Sequence, residues 1–159
     1  MLVGAHESVA GGVHLALGRA VTDGCRALQI FTKNANQWRE PTPTEEGIAF
    51  FKNARAEFGN AKILSHTSYL INLATDREDL LEKSIESLSA EVKRSSALGI
   101  DYCVLHPGAH LGLGADLGLQ RAARALDEVH KRTEGATARI LIENTAGQGT
   151  CVGCTFPQV

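Results

Sequence analysis

Short apolar runs alternate with long amphipathic stretches along this chain. Five runs read as strands: Leu2 to Ala5, Ala27 to Phe31, Lys62 to Ser65, Tyr102 to Leu105 and Arg139 to Ile142. They are apolar on both faces, as expected of strands buried in a parallel sheet. Between them, apolar residues recur at helical spacing. Val13, Leu17, Ala20 and Val21 mark a first helix after Gly11-Gly12, with Gly24 as its stop. Thr42-Pro43-Thr44-Glu45 reads as a capping box ahead of Ile48, Phe51, Ala54 and Phe58, closed by Gly59. Thr75-Asp76-Arg77-Glu78 reads as a second box before Leu81, Ile85, Leu88 and Val92, closed by Gly99. Asp116 is placed as the cap of a fourth helix carrying Gln120, Ala123, Leu126 and Val129, with Gly135 beyond it.

The order is βαβαβαβαβ. Strands joined through helices run parallel, and right-handed crossovers set successive strands side by side. A doubly wound sheet and a (β/α) barrel both satisfy that order. No Gly-x-Gly-x-x-Gly opens the first helix, which weakens the dinucleotide-binding option and favours the barrel. Residues 1–159 are therefore expected to lie within one α/β domain, with no second domain.

Composition adds exclusions. The 159 residues carry 16 Lys plus Arg against 18 Asp plus Glu, a formal charge of −2, so a broadly basic nucleic-acid surface is not indicated. No apolar run approaches the roughly 18 residues of a membrane span. The first basic side chain other than histidine is Arg19, so no signal peptide is expected. Four cysteines make no disulfide scaffold, and a reducing, cytoplasmic setting fits them.

Chemistry gathers at the strand ends. Parallel strands deliver their C-terminal residues to one rim, where barrel enzymes build their active sites. The rim residues here are His6, the segment Thr32-Lys33-Asn34, His66, His106 and Glu143. Two imidazoles and a carboxylate form a catalytic zinc set with an open fourth position, and such an ion lowers the pKa of bound water to about 7. A carboxylate buried after Ile140-Leu141-Ile142 is costly without a cation, which favours the metal reading over isolated structural roles. His-His-Glu also suits manganese or iron. His110 is read as a loop residue shaping the site or contacting phosphate, and His14 and His130 as surface residues on helices. Cys151-Val152-Gly153-Cys154 is a single C-x-x-C pair, read as coincidence because no second pair accompanies it.

Longer motifs surround these residues. Gly4-Ala5-His6-Glu7-Ser8 with Gly11-Gly12, Phe31-Thr32-Lys33-Asn34 with Gln37-Trp38, and His66 with Ser68-Tyr69-Leu70-Ile71-Asn72-Leu73 are three of them. His106-Pro107-Gly108 with His110, and Ile142-Glu143-Asn144-Thr145-Ala146-Gly147-Gln148-Gly149, are two more. Together they resemble endonuclease IV, the zinc-dependent apurinic/apyrimidinic (AP) endonuclease family. The resemblance implies a (β/α)8 TIM barrel of which this chain covers about the first five strands. It further implies cleavage of double-stranded DNA 5′ to an abasic site, leaving a 3′-hydroxyl for base excision repair. By the same resemblance His66, His106 and Glu143 match zinc ligands, Glu143 being the catalytic and bridging one of a three-zinc centre. Tyr69 and Leu70 match loop residues pressed into the DNA at the lesion, and His6 a rim residue that is not a ligand. Lys33 and Arg39 are nearby candidates for phosphate contacts. Where the family commonly carries an arginine, this sequence has Asn36, which can neither stack nor offer a guanidinium.

The resemblance places further ligands beyond Val159. The chain is therefore expected to hold at most one complete zinc site, to be inactive alone, and to expose strand edges prone to association. Two other readings compete: a non-catalytic module or remnant that binds zinc or damaged DNA, and a xylose-isomerase-like sugar isomerase. The Ser68-Tyr69-Leu70-Ile71-Asn72-Leu73 loop with Gln37-Trp38 favours DNA over sugar.

Overall fold

The computed structural model describes residues 2–59 and 61–159. Its elements are β1 (Gly4–His6), α1 (Leu15–Thr22), β2 (Ala27–Ile30), α2 (Glu45–Phe58) and β3 (Lys62–His66). They continue with α3 (Glu78–Leu98), β4 (Tyr102–Leu105), α4 (Ala115–Arg132), β5 (Arg139–Ile142) and a 3-10 turn at Phe156–Gln158. The strands form one sheet in sequence order, every pair parallel. This is the arc of a (β/α) barrel, as the alternating pattern implies. None of the described helices is long and apolar enough to cross a membrane.

Two apolar clusters hold the arc together. Leu17 and Ala20 of α1, Leu28 and Ile30 of β2, Phe51 of α2, and Ile63 of β3 form one with Leu98 and Ile100. Ile85, Leu88 and Val92 of α3 pack with Cys103 and Leu105 of β4 and Ala122, Ala125 and Val129 of α4 to form the other. Fully burying one such aliphatic or aromatic side chain stabilises the fold by about 1.5–3 kcal/mol.

Several sequence expectations need correction. The strands are not uniformly buried: all of β1 is exposed, and so is most of β5. Each has a neighbour on one side only, so pairing and burial stop there. β1 also starts two residues later than expected. Its Gly4 sits so close to β2 that a Cβ would fall 2.0 Å from the Ala27 carbonyl oxygen.

The helix starts differ as well. Thr44, not Thr42, caps α2, its hydroxyl accepting from the Gly47 N–H at 3.0 Å. Thr75 lies ahead of α3, whose cap position is Arg77, and its hydroxyl accepts from the Arg77 N–H in a local turn. Gly114 takes the cap position of α4, leaving Asp116 in the first turn beside the positive end of the helix dipole. The buried stripe of α4 is Gly118, Ala122, Ala125 and Val129 rather than the expected phase through Gln120 and Ala123. Small side chains let the helix lie close: a Cβ on Gly118 would meet the His110 Cβ at 2.7 Å. His14 precedes α1, half-buried against Phe50 at 5.5 Å between ring centroids, so it is not a plain surface residue.

Candidate metal centre

The sheet register assembles the site. β3 ends on His66, and His106 and Glu143 directly follow β4 and β5. Leu105 pairs with Ile142, which sets His106 beside Glu143. The ladder continues past the strands, with the Thr67 N–H donating to the Val104 carbonyl and the Glu143 N–H to the Leu105 carbonyl, both at 2.9 Å. Backbone pairing thus fixes all three residues on one rim.

Their ligand atoms lie within 4.8 Å of one another. Nε2 of His106 is 2.9 Å, and Nε2 of His66 3.2 Å, from the same Glu143 oxygen, Oε2. A carbonyl can only accept, so His66 Nδ1 donates to the Thr67 carbonyl at 2.8 Å. In the neutral ring, Nε2 then presents a lone pair towards a carboxylate lone pair. A cation between them resolves that repulsion, and a ring held through its other N–H is the usual arrangement of a metal-ligating histidine. The donor set therefore fits a divalent ion.

The three ligands differ in setting. His66 is buried at 7% exposure, whereas His106 and Glu143 are 42% and 45% exposed. The expectation of a buried Glu143 is corrected: β5 is an outer strand, and water reaches its carboxylate. Aromatic rings buttress the buried member. Phe31 meets the His66 ring edge-on at 5.3 Å, and Tyr69 lies 5.3 Å away on a tilted plane. His106 crosses it at 87° and 5.0 Å. His6 lies against Phe31 at 4.6 Å on a tilted plane and pairs with Gln29 Oε1 at 3.1 Å, outside the ligand group. Phe31 was legible only as the last apolar residue of the second run, which does not distinguish a buttress from a core residue.

A cleft of about 440 Å³ opens beside the ligands, lined by Tyr69, His106, Glu143, Asn144, Gln148 and Cys151 among others. Its walls are interlocked loops. Ala35 O accepts from the Ser68 hydroxyl at 2.6 Å and the Tyr69 N–H at 3.1 Å. The Asn72 side chain spans the next gap: Nδ2 donates to Ala109 O, while Oδ1 accepts from the N–H groups of Ala74 and Ala109. A Cβ on Gly108, whose φ is +116°, would fall 2.1 Å from that Oδ1, so the loop after β4 requires glycine there. His110 N–H donates to Thr150 O, and Val152 N–H to Gly108 O, tying in the loop after β5.

The remaining predicted residues fall as follows. Tyr69 and Asn36 are exposed on the rim and Leu70 is half-buried beside them. His110 Nδ1 accepts from the N–H groups of Gly112 and Gly114, so it shapes its own loop and stands outside the ligand group. His130 is exposed on α4, and Arg39 is exposed in the loop after β2. Lys33 corrects the phosphate expectation. Its side chain is 3% exposed, donating to Gln37 O at 2.8 Å and pairing with Glu40 at 2.5 Å. It cannot meet a phosphate from there. All four cysteines are free thiols. Burial pushes the Cys103 thiol up from an ordinary 9.0 to about 11, so it stays protonated near neutrality.

The structure is a parallel sheet arc of a (β/α) barrel whose rim carries two histidines and one carboxylate that could hold a metal ion. The chain belongs to the xylose isomerase-like TIM barrel family, whose model matches residues 17–159. Within it, the sequence is 49% identical over 152 residues to a probable endonuclease 4 of Nitratidesulfovibrio vulgaris, covering 96% of this chain and 54% of that protein. A probable endonuclease 4 of a Geobacter species is 42% identical over 155 residues, covering 98% and 55%. Endonuclease IV from Thermus thermophilus superposes with a TM-score of 0.87 at 31% identity, over 99% of this chain and 57% of that one. A D-tagatose 3-epimerase-like protein superposes at 0.73 with 18% identity over 98% of this chain and 57% of that one, a likeness of fold alone. The chain spans about half the length of the curated relatives it matches.

Proposed function

We propose that this chain carries the first five strands, and the first metal site, of a zinc-dependent AP endonuclease that cleaves 5′ to an abasic site in duplex DNA and leaves a 3′-hydroxyl. The observation that carries the reading is the convergence of His66, His106 and Glu143 beside Tyr69, Leu70 and the Asn36 loop. The similarity to proteins named endonuclease 4 supports DNA over sugar as the substrate class.

Zinc held by His66, His106 and Glu143 would supply Lewis-acid stabilisation of phosphoryl oxygens and activation of a water. The chain's own residues do the rest. His66, its ring held by Thr67 O and flanked by Phe31 and Tyr69, offers Nε2 without reorganisation. Glu143 lines the open cleft with its side chain 45% exposed, so its carboxylate can meet a water, a proton or a further cation. Tyr69 and Leu70 supply an apolar wedge for the gap left by a missing base. Turning out an abasic nucleotide costs less than flipping an intact one. Asn36 offers hydrogen bonds in place of a cation, which lowers the phosphate contribution to affinity.

Only one three-ligand group exists among the described residues. On this reading the isolated chain is expected to bind one zinc and to recognise abasic DNA without incising it. Fluorescence anisotropy tests this with a zinc-loaded chain and labelled duplexes, with and without one abasic site. Zinc-dependent preference for the abasic duplex is expected, with no nicked product. Equal affinity for both duplexes would refute DNA-lesion recognition, and robust nicking by homogeneous protein would refute the one-zinc limit.

A further inference from the structure

Helix α3 carries buried charge that the metal site does not use. Glu91 and Arg94 are nearly inaccessible and form an ion pair with each other. Arg94 also reaches both ends of the loop after β2: Nε donates to Thr32 Oγ1 at 2.8 Å, and Nη1 to Glu40 Oε2 at 2.9 Å and Pro41 O at 3.3 Å. Thr32 returns a hydrogen bond to the Glu91 carboxylate. Lys33 crosses the loop from inside to Gln37 O, and Ser87 of α3 donates to Glu40 Oε1 at 2.5 Å.

Two cations and two anions therefore close a neutral network around residues 32–41, with Lys33, Glu91 and Arg94 buried and Glu40 partly exposed. Its cost is desolvation. Replacing such a network with apolar residues is often neutral or stabilising, so its presence calls for a role beyond stability. The connection from β2 to α2 occupies residues 31–44, all without helix or strand. That length, about the upper end of ordinary loops, usually marks a functional segment. Left free, it would spread Asn36 over many positions. Instead the base is bolted to α3, and the tip is clipped to the neighbouring rim loop through Ala35 O.

We infer that Lys33, Glu40, Glu91 and Arg94 are positioning residues that hold the 34–39 loop for contact with damaged DNA while touching no DNA themselves. The inference rests on the DNA-recognition reading above. It assigns lesion preference partly to a helix on the outer face of the barrel.

Trp38, the only tryptophan in the sequence, lies in this loop and packs on the α3–α4 core. Its fluorescence reports loop position without any DNA. The main test is the charge-balanced pair Lys33→Met with Glu40→Gln, and Ser87→Ala is a milder second variant that removes one tie. In the zinc-loaded chain, both are expected to shift Trp38 emission to the red and to increase its quenching by acrylamide. The abasic-over-intact preference should fall about tenfold for the pair and less for Ser87→Ala. Zinc affinity, measured against a chromophoric chelator, should be unchanged, which a general loss of structure would not permit. An unmoved Trp38 signal, or a moved one with the abasic preference intact, would overturn the inference. If the wild-type chain shows no abasic preference, the recognition reading fails by itself. Trp38 then decides loop positioning alone: a red shift upholds it and no shift overturns it.

Discussion

The middle of the sheet and its flanks are made of similar residues yet behave differently. Ile30, Ile63 and Leu105 are fully buried on strands with neighbours on both sides, whereas Leu141 and Ile142 on the outer strand β5 lie open to water. The candidate metal group straddles this divide, running from buried His66 on β3 to Glu143 at the outer strand β5. Preorganisation therefore declines across the site. The His66 ring is fixed by a backbone acceptor and two aromatic neighbours, while the half-open Glu143 carboxylate meets only the two imidazoles among the described residues and its backbone pairs with Leu105. Burial, not residue type, decides which ligands are built in advance.

Truncations should separate the two regions most sharply. Ile63→Ala leaves a cavity in the central layer and should cost about 2–5 kcal/mol, read as a lowered urea midpoint at unchanged slope. A loss below 1 kcal/mol would mean that the middle is no better packed than the flank.

Cys103 gives the middle a pH signature. Its folded pKa of about 11 exceeds the ordinary 9.0, so the folded chain holds this proton more tightly than the unfolded one. The stabilisation is complete below pH 9 and is lost as pH rises towards 11, amounting to about 2–3 kcal/mol at most. Unfolding curves of wild type and Cys103→Ala, compared across pH 8 to 11, should converge by about this amount. A constant difference would contradict the buried thiol.

The rim loops come next. Gly108→Ala places a Cβ against Asn72 at a backbone angle unsuited to alanine, and should cost about 1–3 kcal/mol. Because His106 lies two residues away, zinc affinity should fall with it. Unchanged zinc binding would show that the Asn72 clasp does not position His106. The smallest effect belongs to the flank: Leu141→Ala, at a half-open site, should change stability by less than about 1 kcal/mol in the same urea measurement.

Much of this architecture was written locally. A ligand placed at the end of each apolar run is visible in sequence because a parallel register brings such ends together, and His66, His106 and Glu143 meet accordingly. The exposure of β1 and β5 was not visible, because an apolar run records what a strand can bury rather than what covers it. The phase of α4 was missed because Gly118, Ala122 and Ala125 pack by being small and give a weak apolar signal. Lys33 was misread for a different reason. Its partners Glu40 and Ser87 lie seven and 54 residues away, and Glu91 and Arg94 look like an ordinary surface pair on a helix. Long-range polar networks leave no periodicity to read.

The most direct test is a zinc titration of the 159-residue chain by isothermal calorimetry, with His66→Ala and Glu143→Gln alongside Cys151→Ser/Cys154→Ser. One zinc per chain is expected, with binding abolished or reduced by orders of magnitude in the first two variants and intact in the cysteine pair. Zinc bound equally well by His66→Ala and Glu143→Gln, or lost in the cysteine pair, would contradict the histidine-carboxylate rim as the metal centre.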